Sequence, residues 1–84
     1  MELDKIIQQK LTVEMLPYMK EHSDIDARKR KLESLFNELI CDGTIFKFKI
    51  EYKEDMPRVY CWTTDSMFPN WKTVFDLNLN VEVL

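Results

Sequence analysis

The sequence predicts an α+β fold, with two or three N-terminal helices packed on a three-stranded antiparallel β-sheet in one small domain, residues 1–84. Three observations carry that prediction. A stretch from about Asp24 to Asp42 is apolar at helical spacing and stops just before Gly43, the chain's one glycine. Directly after it, Ile45 to Lys53 alternates apolar and polar, and Arg58 to Thr64 is rich in β-formers. Thr73 to Leu84 then alternates again.

The elements follow in order. Leu3, Ile6, Ile7 and Leu11 share one helical face, and Asp4 complements the positive end of the helix dipole. Thr12 is a possible N-cap for a second segment, Val13 to Glu21, which Pro17 interrupts. Proline lacks the N–H that an interior helical position donates, and it pushes Leu16 out of helical geometry. Residues 3–21 are therefore either two short helices or one long helix kinked near Val13–Pro17. In the next helix, steps of 100° put Ile25, Leu32, Leu35, Phe36, Leu39 and Ile40 on one stripe. Ser23, Asp24 or Asp26 can cap its start, and Gly43 suits the left-handed position that ends it.

In the first strand, Phe46, Phe48, Ile50 and Tyr52 point one way and Lys47, Lys49, Glu51 and Lys53 the other. Glu54 to Pro57 makes the turn, and Arg58 to Thr64 pairs back. Asp65 to Lys72 reads as a loop whose Met67, Phe68 and Trp71 either fold back on the core or meet a partner. From Thr73 onward, Phe75, Leu77, Leu79, Val81 and Val83 alternate with Asp76, Asn78, Asn80 and Glu82, which reads as a third strand.

Composition narrows the function. The chain is 45% hydrophobic and 12% aromatic, enough for one core and unlike a disordered segment. Its net charge of −3 means that any nucleic-acid site must be a local basic patch. No run reaches the ~20 apolar residues of a membrane span. The first residues lack the apolar core of a signal peptide. Cys41 and Cys61 form no Cys-x-x-Cys, and with one histidine, His22, they are too few for a zinc site. These features predict free thiols in a reducing, cytoplasmic setting, with no cofactor, no metal and no evident small-molecule substrate.

The residues also argue against an enzyme. Asp42 followed by Glu51-Tyr52-Lys53 has the residue types of metal-dependent nucleases, where two carboxylates hold an ion and a lysine orients water. Glu51 and Lys53 are equally the exposed face of an alternating strand. A single glycine cannot make a phosphate loop.

The basic run Arg28-Lys29-Arg30-Lys31 has two readings. One is a solvated helix start paired with Glu33, Asp24 and Asp26. The other is phosphate contact, with Arg28, Arg30, Lys31, Ser34 and Asn37 facing a DNA groove, since arginine and asparagine make bidentate base contacts. Lys47, Lys49, Lys53 and Arg58 would then follow the adjacent backbone.

Leu11-Thr12-Val13-Glu14, a basic helix ending Leu39-Ile40-Cys41-Asp42-Gly43-Thr44-Ile45, and a return strand Arg58-Val59-Tyr60-Cys61-Trp62 together resemble the winged helix-turn-helix family. The resemblance spans about Leu3 to Thr64. It implies that Arg30, Lys31, Ser34 and Asn37 lie on a recognition helix, with a wing from Thr44 to Thr64 and double-stranded DNA as partner. Pro17 and the C-terminal strand depart from that family's pattern. The alternative is a protein-interaction module: a homodimer, a virion or assembly component, or an inhibitor of a host enzyme. It would act through Met67, Phe68 and Trp71 and a C-terminal edge strand.

Overall fold

The computed structural model describes residues 2–54 and 56–79. Helices α1 (Leu3–Lys10), α2 (Leu16–Glu21) and α3 (Ile25–Cys41) precede strands β1 (Lys47–Glu51), β2 (Arg58–Trp62) and β3 (Trp71–Val74). The fold is α+β. Its described strands form an antiparallel meander in the order β1-β2-β3, with the helices on one side of it.

A π-helical stretch, Leu11–Met15, joins α1 to α2, so residues 3–21 form one continuous helical run. Pro17 supplies the physical reason. It has no N–H to donate, and its ring crowds the carbonyl four residues back. The chain meets it with a wider turn, in which the Leu16 N–H donates to the Leu11 carbonyl five residues back. Thr12 is not the N-cap that its sequence context suggests. It lies inside the run, and its hydroxyl donates to the Gln8 carbonyl at 2.8 Å.

The wide turn also decides what the run buries. Ile7, Leu11, Met15 and Met19 recur every fourth residue, and none is more than 6% exposed. In a regular α-helix each four-residue step would carry the side chain about 40° further round. The π stretch holds more residues per turn, takes up that drift and keeps all four facing the core.

In α3, Asp24 is the N-cap, and its carboxylate accepts the Asp26 N–H at 3.3 Å. Leu32, Leu35, Phe36 and Leu39 are buried, while Ile40 sits half-exposed at the stripe's margin. Gly43, at φ +82°, ends the helix where a Cβ would be strained. Its N–H donates to the Ile40 carbonyl, and the N–H groups of Thr44 and Ile45 donate to Leu39. Thr44 also donates its hydroxyl and N–H to the Asp42 carboxylate, which holds that carboxyl below the usual carboxylate range. Lys10 ties the two helical segments together through Glu38 at 2.9 Å and Glu14 at 3.0 Å, and these bonds raise its pKa.

The expected hairpin forms, with Phe48 opposite Cys61 and Ile50 opposite Val59. Asp55 of its turn lies outside the described residues. The third strand departs from the sequence reading. It starts at Trp71 rather than Thr73 and ends at Val74. Beyond it, the Asp76 carboxylate accepts the Asn78 N–H at 2.8 Å, and the chain turns. Aspartate and asparagine side chains favour such turns and are poor in strands. Leu77 is nevertheless fully buried, because the turn directs it inward. The predicted strand from residue 80 onward lies outside the described residues.

The core closes between the layers. Phe36 of α3 packs on Phe48 at 5.7 Å and on Trp71 at 6.2 Å between ring centroids. Both cysteines are free, Cys41 exposed at the end of α3 and Cys61 buried in β2. Burial pushes the Cys61 thiol up to about 12. Since the thiolate is the nucleophile, a thiol-specific reagent at pH 8 will label one cysteine of the native protein, Cys41. Cys61 will label only in denaturant, as mass spectrometry of the labelled peptides would record.

Candidate nucleic-acid interface

Strand alternation builds two faces on the sheet. One carries Phe48, Ile50, Val59, Cys61 and Trp71 into the core. Register places Lys47, Lys49 and Glu51 of β1 beside Trp62, Tyr60 and Arg58 of β2, with Lys72 and Val74 of β3 next to them, on the outward face. Four cations stand there against one strand carboxylate, Glu51, which Lys49 engages at 3.1 Å. Arg58 and Lys72 have no ion-pair partner among the described residues.

The face is also aromatic. Trp62 is nine-tenths buried, and the Lys47 ammonium lies 4.7 Å from its ring centroid. The indole N–H of Trp62 has no hydrogen-bond partner among the described residues. Tyr60 sits next to it, ring centroids 6.4 Å apart and tilted by 40°. An open hollow of about 290 Å³ lies against Tyr60, lined by Arg58, Lys72, Thr73 and Val74. A second, of about 310 Å³, is lined by Lys53, Glu54, Met56, Arg58 and Val74. The two share Arg58 and Val74 and so adjoin each other on the sheet, the second toward the hairpin turn.

Of the residues read from the sequence as DNA contacts, Lys47, Lys49 and Arg58 come together on this face, with Lys53 at its edge. Tyr60 and Lys72 belong with them, and the sequence reading does not single them out. The signal for Tyr60 is its place two residues from Arg58 in an alternating strand. Lys72 is hidden because residues 65–72 read as a loop.

The α3 candidates lie in the other layer. Arg30, Ser34 and Asn37 are exposed, and the Lys31 ammonium rests 5.5 Å from the Tyr18 ring centroid. The hydrophobic core separates this stripe from the outward face of the sheet, so the two do not merge into one surface. The solvated reading expects the basic run to pair with Asp24, Asp26 and Glu33, but no ion pair joins them among the described residues. Glu33 instead accepts the Tyr52 hydroxyl at 2.7 Å. Burial first, and this bond second, raise the Tyr52 pKa.

Arg28 is a correction to the sequence reading. It is 8% exposed, and its guanidinium donates to three carbonyls at 2.6 Å each: Met19, His22 and Leu77. It has no free donor face for phosphate. The reason is geometric: position 28 faces back toward the end of α2, whose last carbonyls lack helical partners.

The aromatic loop divides. Met67 is 89% and Phe68 75% exposed. Trp71 is buried instead of available to a partner, because it opens β3 opposite Cys61 and points at Phe36.

Asp42 is engaged with Thr44 and Glu51 with Lys49. Among the described residues no cluster of three His, Cys, Asp or Glu could hold a metal ion. Nor is any described helix long and apolar enough to cross a membrane. No family model, curated protein or solved structure matches this chain.

Proposed function

We propose that this protein is a non-enzymatic DNA-binding protein with a regulatory role, and that the outward face of its sheet contacts the phosphates. The observation that carries the reading is the gathering of Lys47, Lys49, Arg58 and Lys72 on one face of a chain whose net charge is −3. Segregated charge attracts a polyanion locally even when the whole chain repels it. Release of the polyanion's counterions then supplies the affinity. The winged-helix resemblance supports DNA binding as such, with β1 and β2 in the wing position, but it would put the recognition contacts on α3, in the other layer.

Fluorescence anisotropy of a mixed-sequence duplex, titrated at two salt concentrations, tests it. Replacing Lys47, Lys49 and Arg58 together by alanine is expected to lower the salt slope by about 3, one for each phosphate that is no longer neutralised. Arg30→Ala with Lys31→Ala tests the α3 stripe in the same assay. A loss confined to that pair would transfer the DNA-binding role to the helix. Absence of binding to the duplex at low salt, where the attraction is strongest, would sink the DNA reading.

The exposure of Met67 and Phe68 favours a second reading, a protein-interaction module that docks through this loop. Among the described residues β3 is an edge strand, and its outer side is the second element of this reading. A self-association measurement by sedimentation, repeated with Phe68→Ser, separates a homodimer from docking to another chain.

A further inference from the structure

The phosphate-binding reading accounts for the cations of the sheet face but not for the hollow at Tyr60. We infer that this hollow receives one unpaired base of a single-stranded nucleic acid, which stacks on Tyr60 while Arg58 and Lys72 hold the phosphates on either side. The inference rests on the nucleic-acid reading above and narrows it to a strand form.

Three features converge. Tyr60 is half-buried at the centre of the sheet, so its ring is held in place instead of swinging freely. Trp62 packs next to it and fixes it from one side. A flat π-face presented on a rigid strand suits a base, since every base offers a matching face regardless of sequence. The hollow's volume of about 290 Å³ is at the lower end of the range for small-ligand sites. Its walls are chemically divided: Val74, half-exposed, gives an apolar flank, and Arg58 and Lys72 give cations on neighbouring strands.

Duplex DNA fits this site poorly. Its bases are stacked on each other, and taking one out costs a few kcal/mol. A single strand presents bases already free. The adjoining depression, bounded by Lys53 and Arg58, continues the cationic track toward the hairpin turn and gives a strand a direction to follow. Glu54 at that end, and Glu51 opposite Arg58, are the acidic groups that limit the track.

The test uses labelled 12-nucleotide single strands of DNA and of RNA, a duplex of the same sequence, and a base-free phosphodiester strand of equal charge. Each is titrated into the wild type, Tyr60→Ala and Tyr60→Phe. The expected result is at least tenfold preference for the single strand over both the duplex and the base-free strand. Tyr60→Ala should lose about tenfold on the single strand, and Tyr60→Phe should keep the wild-type affinity. Comparison of the DNA and RNA strands assigns the sugar. Equal affinity for the base-free strand would overturn the inference, whatever the folding of the alanine variant. So would duplex binding as tight as single-strand binding. In either case phosphate contact by the sheet face would stand. Failure of every nucleic acid to bind at low salt would remove both readings.

Discussion

Replacing Arg28 with alanine will lower the melting temperature by about 15 °C, from a loss of about 3 kcal/mol. The guanidinium is the one group that meets the last carbonyls of α2 and the carbonyl of Leu77 together. Without it, carbonyls in a buried setting lose their donors, and each such loss costs more than an ordinary hydrogen bond contributes. The charge itself is offset by the negative end of the α2 dipole. Lysine will not restore the site, because one ammonium cannot reproduce a planar fork that serves three acceptors in different directions. Arg28→Met, which keeps much of the aliphatic stem, separates packing from hydrogen bonding. If Arg28→Met melts within a few degrees of the wild type, the carbonyl contacts are not what Arg28 contributes. Differential scanning calorimetry gives both values.

Phe36→Ala will cost about 4 kcal/mol, read from the urea midpoint at unchanged slope. Phe36 is 1% exposed and is the largest of the fully buried side chains. It is also where α3 meets two strands at once, through Phe48 and Trp71. Truncation leaves a cavity that neither a strand nor a 17-residue helix can easily close. A domain of this length holds about 4–12 kcal/mol in all, so the variant will be near its folding limit. Phe36→Leu, which fills most of the space, should lose less than half as much. A red shift of Trp71 emission in the alanine variant would place the damage at the aromatic cluster. Equal losses for the two variants would mean that packing at this site is not what joins the layers.

Much of this architecture was legible in the chain. The 100° projection of α3, its aspartate cap and its glycine stop are local signals, and each depends on residues within a few positions of one another. So do the alternating faces of the hairpin. What escaped was whatever tertiary structure decides. Arg28 reads as a surface cation because nothing nearby in sequence reveals that residue 77 supplies it with an acceptor. Thr73 to Leu84 alternates cleanly, yet Asp76 can satisfy its neighbour's N–H locally, and that turns the chain away from the sheet. At the candidate site, the basic strand positions were readable from period two alone. Lys72 and the central role of Tyr60 were not, since they emerge only when β3 is laid beside β2. Trp71 shows the converse. Its size and loop context suggested an interface anchor, and a small difference in where the strand begins turned it into core.

The π-helical turn at Leu11–Met15 has a consequence for how this chain can vary in length. Its wide turn accommodates one more residue than a regular helix would over the same rise. Remove one position there, and the buried residues would fall at spacings of three and four, the ordinary rhythm of an α-helix, with both flanking segments still in phase. The stretch is thus a place where the chain can shed a single residue without turning its buried stripe away from the rest of the fold.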